Sequence, residues 1–390
     1  MQNLDLVEDV VQDAFVKALQ TWTFADVPEN PGAWLMQVAR RRAIDVLRRD
    51  SRGMEIVNSV ATLDSVEVRV DECFHPNEIS DNQLRLMFAC CHPLLKKSDQ
   101  IALTLKTAGG FGIREISRAL LISTDTVKQR LFRARERIKR HGVEMSIPVG
   151  AELSPRLDAV HTVLYLLFNE GYSPSESDDV IRRDLCAESM RLMRILCEHP
   201  IAAVSSSNAL MALMCFHAAR FDARVSLEGQ AVLLTGQDRS KWDTKLLNVG
   251  QYFMKKAMGS GPLTVYHLEA MIAAQHVWSK NEEETDWPRM RKLYEVLYEV
   301  KPSPVVRLNL LVVLIKQGDL KEGERVIAEL KMHPGMGKNH LFEAVQAEFY
   351  KASGLHTDAL ISLQNAIEYA SSGTDRNLLV KRLESWQSMQ

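Results

Sequence analysis

Two arginine-rich segments carry the residue types in this chain that suit a specific chemistry, the neutralisation of phosphate. Residues 40–52 hold two aspartates and six arginines, namely Arg40, Arg41, Arg42, Arg48, Arg49 and Arg52. Residues 114–140 hold nine lysines and arginines against three acids. Guanidinium and ammonium groups bind phosphate oxygens, so both segments are candidates for contact with nucleic acid. Charged segments of this kind also occur as solvated helix faces, and that alternative stays open for either one alone.

An acidic stretch separates the two arginine-rich segments. Residues 54–82 contain seven acids and one base, Arg69, whereas the whole chain of 390 residues has a formal charge of -2. The distribution of charge is therefore more informative than its sum. Basic, acidic and basic segments in this order predict two nucleic-acid contacts joined by a tether.

Length and composition limit the class of protein. The chain has 390 residues, 46% of them hydrophobic and 25% charged, which is the composition of a globular protein with two or three domains. No apolar run approaches the roughly 18 residues that span a bilayer, and the N-terminus lacks the pattern of a signal peptide. Six cysteines without regular spacing indicate reduced thiols. We therefore expect a cytoplasmic protein without a membrane partner.

Helical spacing predicts a first helix near the N-terminus. Its apolar stripe comprises Val7, Val10, Val11, Ala14, Ala18 and Trp22. The sequence VPENP breaks this helix, and Asn30 is the predicted N-cap of the next one, with Pro31 in its first position.

The second predicted helix combines an apolar stripe with a charged face. The stripe comprises Leu35, Ala39, Ala43 and Val46, and the charged face comprises Arg41, Asp45, Arg48 and Arg52. Four-residue spacing would allow Asp45 to pair with Arg41 and Arg49. One helix is thus expected to pack a core and to present positive charge.

The second arginine-rich segment predicts a helix-turn-helix. Ile116, Ala119 and Leu120 indicate a short helix, followed by a tight connection with Ser123 or Thr124 as N-cap. The next helix has an apolar stripe of Val127, Leu131, Ala134 and Ile138 and is expected to expose Thr126, Lys128, Arg130, Arg133 and Arg137. The major groove of DNA admits such a helix, with basic residues holding phosphates. A plain helical hairpin is the alternative.

After residue 145 the basic clusters disappear, and long helical periods dominate a region with 27 basic and 30 acidic residues. Residues 308–330 and 342–367 align at an offset of 36 residues, which places Gly318 on Gly354, Gly323 on Ala359 and Ile327 on Leu363. Small residues where paired helices cross, near this period, favour tetratricopeptide-type hairpins.

Two polar motifs stand out in this hydrophobic region, LLFNEGY at 166–172 and GQDRSKWD at 236–243. Asn169 and Glu170 beside Gly171 are suited to the end of a helix, which is one interpretation. The alternative is a site for a ligand or a protein, formed by Asn169, Glu170, Tyr172, Asp238, Arg239 and Trp242.

Neither catalysis nor metal binding is predicted. The sequence contains no nucleophile motif, and GGFG at 109–112 has the spacing of a turn and not of a phosphate-binding loop. Cys90, Cys91 and His92 are adjacent, and neighbouring helical residues point about 100° apart, so core residues are expected here rather than zinc ligands. Cys186, Cys197 and Cys215 are predicted to be core thiols. We expect no enzyme, no cofactor and no metal.

In combination, the two arginine-rich segments resemble extracytoplasmic-function (ECF) sigma factors. Two stretches of this sequence resemble the second conserved region of that family, namely DLVEDVVQDAFVKALQTW and NPGAWLMQVARRRAIDVLRR. A third stretch resembles its fourth region, namely REISRALLISTDTVKQRLFRARERIK. Four further motifs resemble the subgroup of this family that has a C-terminal tetratricopeptide-like extension, namely LMFACCHPLL, TAGGFG, YLLFNEGYS and QDRSKW. Family members generally have a further helix before the first block, so the region-two domain is expected to be shortened.

This resemblance implies a partner for each segment. The first helix would dock on the clamp helices of the RNA polymerase large subunit, whose flap is a further expected contact. That assigns polymerase binding to Glu8, Asp9, Gln12, Asp13 and Phe15. The arginine-rich helix would hold the single-stranded -10 promoter element through Arg40, Arg41, Arg42, Asp45, Arg48 and Arg49. The helix-turn-helix would read the duplex -35 element through Ser123, Thr124, Thr126, Lys128, Arg130, Arg133 and Arg137.

We therefore predict an all-α protein. Its expected parts are a sigma region-two domain at 1–53, an acidic linker at 54–82, a helix-turn-helix region-four domain at 83–145 and a tetratricopeptide-like extension at 155–390. The expected function is promoter-specific transcription initiation at the bacterial nucleoid, modulated by the extension through an unidentified protein or ligand. The alternative is a helix-turn-helix regulator or scaffold that binds DNA but does not recruit polymerase.

Overall fold

A computed structural model describes residues 4–22, 27–28, 31–49, 79–142, 148–174, 180–226, 229–259, 261–333, 335–370 and 373–388. The chain divides into two compact units, one of residues 1–108 with 123–156 and one of residues 109–122 with 157–390. None of the helices in the described ranges is long and apolar enough to cross a membrane. Within the same ranges the regular elements are helices, and one isolated antiparallel bridge joins Val225 to Ala231. The all-α prediction is confirmed.

The first six helices are α1 (Leu4–Trp22), α2 (Pro31–Arg49), α3 (Asn82–Cys90), α4 (Lys97–Thr107), α5 (Ile113–Leu120) and α6 (Thr124–His141). All of them except α5 belong to the first unit. A short 3-10 helix, Gly150–Arg156, ends that unit.

Helix α1 packs against α2 through a narrow stripe of small and aliphatic residues. Val10, Ala14 and Ala18, spaced four residues apart, are buried as predicted. The prediction for Val11 is wrong, because it lies about 100° further round the helix and is 42% exposed. The Trp22 and Trp34 rings, with centroids 5.3 Å apart, close one end of the contact.

The apolar stripe of α2 is half-buried and not buried, because a pair of helices covers one face of each. This holds for Leu35, Ala39, Ala43 and Val46. The expected pairing of Arg41 with Asp45 does not form, and both side chains are exposed. The predicted cap Asn30, the side chain of Val7 and residues 50–78 lie outside the described part of the chain.

Helices α3, α4 and α6 enclose a small core in which Cys90, Leu103, Ala134 and Ile138 are buried. Asp81 caps α3 by accepting a hydrogen bond from the backbone N–H of Leu84 over 2.9 Å. The buried Cys91 lies 3.4 Å from the hydroxyl of Thr104. Burial raises the pKa of the Cys90 thiol to about 12 and that of the Cys91 thiol to about 11. Both are core residues, as expected.

The connection between α5 and α6 has the caps that the sequence predicts for a tight turn. Leu121 has a φ of 53°, a left-handed conformation that ends α5. Ser123, one of the two predicted caps, begins α6 by accepting from the backbone N–H of Thr126 over 3.2 Å. The predicted stripe of α6, namely Val127, Leu131, Ala134 and Ile138, is buried throughout. Gly142, with a φ of 55°, ends this helix.

The second unit contains α5 and twelve further helices. In chain order these are α7 (Leu157–Tyr172), α8 (Arg183–Glu198), α9 (Ser205–Ala218), α10 (Phe221–Arg224), α11 (Thr244–Ala257), α12 (Val265–Trp278), α13 (Trp287–Val300), α14 (Pro304–Gln317), α15 (Leu320–Lys331), α16 (His340–Ala352), α17 (His356–Tyr369) and α18 (Gly373–Gln387). Consecutive helices pack on one another along most of this unit.

The internal repeat corresponds to two successive hairpins, α14 with α15 and α16 with α17. Gly318 and Gly354, which align in the repeat, have φ angles of 72° and 77° at the same point of each hairpin. Ile327 and Leu363 are both buried, as their alignment predicts. At Gly323 an added Cβ would lie 2.8 Å from the Phe349 ring, so a small residue is required at this crossing. The helical array is confirmed.

The N-terminal part of the second unit has the most continuous core. Phe168 of α7 and Phe216 of α9 are fully buried, and Cys186, Cys197 and Cys215 lie around them as core thiols. Burial is the main cause that raises the pKa of all three thiols to about 12, so they remain neutral.

Candidate nucleic-acid interface

Helix α6 presents a polar face that flanks its buried stripe, about 100° round the helix. At about 100° per residue, Thr126, Arg130, Arg133 and Arg137 fall within an arc of about 60°. Lys128 lies on the opposite side of the helix from this arc. The geometry therefore brings four of the predicted DNA-contacting residues together and separates the fifth. We call Thr126, Arg130, Arg133 and Arg137 the α6 polar face.

Two members of the α6 polar face carry positive charge without an internal partner. Arg137 is exposed and Arg130 half-buried, and neither makes an ion pair within the described residues. Charged groups of this kind are able to meet phosphate oxygens at no cost in broken internal contacts. Ser123 and Thr124 lie at the N-terminus of the helix, where Ser123 is occupied as the cap.

The other basic residues predicted here have internal partners. Arg133 Nη2 lies 3.2 Å from Oδ1 of Asp99, a carboxylate whose side chain is 6% exposed. Lys128 Nζ lies 3.3 Å from Oδ1 of Asp125, and both of these side chains are mainly exposed. The first contact joins α6 to α4 and is structural, whereas the second is a solvent-screened surface pair.

Helix α2 distributes its predicted DNA-contacting residues over more than one face. Arg40, Arg41 and Asp45 are exposed. Arg42 flanks the apolar stripe, and its Nε donates to Oδ2 of Asp13 on α1 over 2.7 Å. Arg48, Arg49 and Glu8 were also predicted as site residues, and their side chains lie outside the described residues.

The outer face of α1 is apolar beside its acids. Asp9, Gln12 and Asp13 are exposed as predicted, and Phe15 is 54% exposed. Val16, at 52% exposure, adjoins Phe15 on the same face and was not singled out from the sequence. Its one signal in the sequence is that Val16 is hydrophobic and adjoins Phe15 outside the predicted apolar stripe.

The LLFNEGY motif forms the last turns of α7, which supports the helix-end interpretation for Asn169 and Glu170. The carbonyl of Gly171 accepts a hydrogen bond from the backbone N–H of Arg182 over 2.7 Å. A Cβ on Gly171 would lie 2.6 Å from Sγ and 2.9 Å from the backbone nitrogen of Cys186. Glycine is thus required for the close approach of α8. Glu170 is buried, and the Tyr172 ring is half-buried.

The GQDRSKWD motif is a loop that contains a short 3-10 turn and leads into α11. Asp238 caps a short 3-10 turn through the N–H of Ser240, and Asp243 caps α11 through the N–H groups of Lys245 and Leu246. These Ser240 hydrogen bonds lower the pKa of the exposed Asp238. Arg239 Nη1 donates to the carbonyls of His276 and Ser279 at the end of α12. Trp242 is buried, with 5% exposure.

Two further arginines contact aromatic residues of the two motifs and were not predicted from the sequence. The Arg224 guanidinium lies 3.8 Å from the centroid of the Tyr172 ring, and that of Arg220 lies 5.7 Å from the Trp242 ring. Arg239 approaches the same indole to 4.8 Å. The predicted set is therefore brought into one region of the unit, but through Arg220 and Arg224 rather than by direct contact.

Three parts of the chain match known protein families. Residues 1–53 match sigma-70 region 2, and residues 85–138 match sigma-70 region 4. Residues 156–258 match a family of unknown function, DUF6596, which includes both polar motifs. The tetratricopeptide-like label for the extension finds no match of its own among these families.

Two relatives extend the comparison. An uncharacterized protein of Rhizobium meliloti is 33% identical over 389 residues, which cover 98% of this chain and 90% of that protein. The ECF RNA polymerase sigma factor SigX of Bacillus subtilis is 25% identical over 137 residues, 34% of this chain and 69% of SigX. The chain belongs to one family with the rhizobial protein, and its matches to sigma-70 regions 2 and 4 support a sigma factor.

Proposed function

We propose that this chain acts as an ECF-type sigma factor that binds core RNA polymerase through α1 and directs it to promoters. Helix α2 would hold the single-stranded -10 element, and the α6 polar face would enter the major groove at the -35 element. Sigma-70 region families imply both partners. The assignment of individual residues to them is the proposal.

The observation that carries polymerase binding is the outer face of α1. Phe15 and Val16 are more than half exposed beside Asp9 and Gln12, although α1 already buries its other side against α2. An exposed apolar patch rimmed by acids is typical of a protein interface and suits a partner with basic groups. A DNA-binding regulator without polymerase would have no need of this face.

The observation that supports promoter contact is the charge left without an internal partner on α6. Arg130 and Arg137 share a face with Thr126, which lies in the first turn after the cap Ser123. Helix N-termini and such arginines provide the phosphate contacts that position a recognition helix in the groove. Arg133 lies on this face too, although it also holds Asp99.

A pull-down with purified bacterial core RNA polymerase tests the proposal. The double variant Phe15→Asp with Val16→Asp should lose core binding at least tenfold, because two charges would enter an apolar contact. Tyr252→Asp is the matched control, since Tyr252 is 53% exposed and lies on α11, far along the chain from α1. Unchanged core binding by the double variant would contradict the assignment of α1.

The alternative function, DNA binding without polymerase, gives a different result in the same experiment. The wild-type chain would then bind duplex DNA with a marked dependence on salt but would not retain core polymerase. Charge reversal by Arg41→Glu distinguishes the two DNA contacts. It should impair promoter opening while sparing duplex binding, because Arg41 is exposed on α2 and not on α6.

We further propose that the C-terminal unit modulates the helix-turn-helix. Glu115 accepts from the backbone N–H of Gly112 over 2.6 Å and so caps α5, the first helix of the motif. Its other oxygen lies 3.9 Å from Nη1 of Arg182, which immediately precedes α8. Helix α5 forms one compact unit with the DUF6596 helices. A shift of the α7–α8 connection would therefore act on the cap of α5.

Run-off transcription from a promoter recovered by in vitro selection with the holoenzyme tests this second part. Arg182→Ala should change the yield at least twofold relative to the wild type. Arg194→Ala is the control, because Arg194 forms a similar pair with Glu198 but lies in the middle of α8, away from α5. Equal yields from both variants would remove the proposed coupling.

A further inference from the structure

A group of buried hydrogen-bond donors in the C-terminal unit, mainly arginine side chains, has no negatively charged acceptor among the described residues. Arg220 is 8% exposed, and none of the ion pairs among the described residues includes Arg220, Arg224 or Arg239. Arg220 Nε donates to the neutral Oε1 of Gln237 over 3.1 Å. The Nε of Arg224 and the indole Nε1 of Trp242 are buried without any hydrogen-bond acceptor. Buried cations in proteins are ordinarily paired, so this group favours an anion.

A cavity of about 900 Å³ is bounded in part by residues next to Arg239, whereas Arg220, Arg224 and Trp242 are not among its lining residues. Gln237 and Arg239 form part of its wall, which connects the cavity to Arg220 through the Gln237 amide. Its remaining walls come from residues 233–235 and 280–285 and from helices α12, α13, α14, α16 and α18. Sites for small organic ligands have volumes of about 300–1,000 Å³, so the cavity is large enough for one.

The charged residues that line the cavity leave an excess of positive charge. Glu282 is neutralised by Lys316 over 2.8 Å, and Glu348 by Arg382 over 3.0 Å. The carboxylate of Asp238 is occupied by the N–H and the hydroxyl of Ser240. Arg239 and Lys280 form no ion pair among the described residues; burial lowers the pKa of Arg239, and the nearby Glu282 carboxylate partly offsets that effect.

Arg239 is suited to bind a ligand with the donors that it has left. Its Nη1 holds the two carbonyls at the end of α12, which fixes the guanidinium in place. Its Nε and Nη2 make no hydrogen bond within the described part of the chain. His276, which also lines the cavity, adds no charge at neutral pH, because burial lowers its pKa to about 4.

Part of the cavity wall is apolar. Trp287, Met290 and Tyr294 of α13 line it together with Val312 and Val313 of α14. A ligand that fills the site must therefore combine an anionic head with a hydrophobic body. A free inorganic anion would leave this apolar surface uncovered, and a neutral lipid would leave the arginines uncompensated.

We infer that the C-terminal unit binds a small amphipathic organic anion, with its acidic head at Arg239 and Lys280 and its hydrophobic body against α13 and α14. Arg220, behind Gln237, adds to the positive potential at the head. The site is distinct from the promoter and polymerase contacts proposed above. The GQDRSKWD motif would thus form one wall of a ligand pocket.

Displacement of the fluorescent anion 1-anilinonaphthalene-8-sulfonate from the full-length chain tests this inference. Dodecanoate and dodecyltrimethylammonium, both below their micelle concentrations, carry the same alkyl chain with opposite head charges. Dodecanoate should displace the probe at a concentration at least tenfold lower than the cation does. Equal potency of the two would overturn the inference, because it would show a purely hydrophobic site.

Variants locate the site within the molecule. Lys280→Glu should weaken dodecanoate binding by about fivefold, since Lys280 is exposed and its replacement reverses a rim charge. Val312→Trp should weaken dodecanoate binding by about fivefold, because the indole would occupy part of the apolar wall. Lys245→Glu, an exposed lysine outside the cavity, is the matched control and should leave the affinity unchanged. Equal affinities for Lys280→Glu and Lys245→Glu would contradict the placement. Because no polymerase or DNA is present, the outcome is independent of the proposed sigma activity.

Discussion

Arg42 and Asp13, expected from the sequence to serve two different partners, bind each other across the α1–α2 contact. The Arg42 Nε donates to Asp13 Oδ2 over 2.7 Å, and the two side chains are 41% and 51% exposed. Helices α1 and α2 of the region-two domain, which we propose to face polymerase and DNA, are thus joined by a surface ion pair. Either residue retains exposed atoms with which to meet an external partner.

A double-mutant cycle measures what this pair contributes. We expect Asp13→Ala and Arg42→Ala each to lower the free energy of unfolding by less than about 1 kcal/mol, with a coupling of about 0.2–1 kcal/mol. The reason is solvent screening of an exposed pair, which added salt should weaken further. Urea unfolding of the four proteins supplies the values, and a coupling above about 2 kcal/mol would show that the contact is structural.

The Arg133–Asp99 pair should behave differently, because the Asp99 carboxylate is buried. Removal of its partner by Arg133→Ala would leave that charge uncompensated, at a cost of about 1–3 kcal/mol. Arg137→Ala, on the same face of α6 but without an internal partner, should leave stability unchanged. Thermal unfolding followed by circular dichroism compares the two variants.

DNA affinity completes that comparison. Arg137→Ala should weaken binding to duplex promoter DNA and reduce its salt dependence by about one phosphate contact. Adding Asp99→Asn to Arg133→Ala should restore part of the lost stability but not the DNA affinity. If the double variant were as unstable as Arg133→Ala alone, the buried charge would not be the cause.

Gly171 of the LLFNEGY motif gives a prediction about packing. Gly171→Ala would place a Cβ 2.9 Å from the backbone nitrogen of Cys186, which a side-chain rotation cannot relieve. We expect a loss of about 1–3 kcal/mol, visible as a lower urea midpoint. Gly236→Ala is the control, since its Cβ would meet only Val232 Cγ1 at 3.5 Å. Equal stability of the two variants would contradict a close-packing role.

Periodicity predicted the elements whose pattern repeats along a helix. The α6 stripe, the Ser123 cap and the repeated glycines Gly318 and Gly354 all lie as expected, because local spacing determines them. The prediction that Val11 belongs to the buried stripe was wrong, because the width of such a stripe depends on how many helices cover it. Sequence patterns do not contain that number.

Pairings between distant residues were beyond prediction for a similar reason. Asp99 and Arg133 are 34 residues apart, and nothing local marks one as the partner of the other. Nor did the sequence indicate that Arg220 and Arg224 belong to a site, since two arginines four residues apart are common. Their significance comes from Tyr172 and Trp242, which the fold brings to them.

The buried histidine beside the arginine group makes stability dependent on pH. Burial, together with Arg220 and Arg239, lowers the pKa of His276 to about 4, whereas an unfolded histidine titrates near 6.5. Between these values the unfolded chain binds more protons than the folded chain. The free energy of unfolding should therefore fall as the pH drops from about 6.5 towards 4, and stability should be fully present above that window.

His276→Gln isolates this contribution. The variant lacks the titrating group, so its unfolding midpoint should fall less steeply between pH 6.5 and 4.5 than that of the wild type, even where its stability at pH 7.5 is lower. Urea midpoints at four pH values give the two slopes. Parallel slopes would mean that His276 is not protonated preferentially in the unfolded chain.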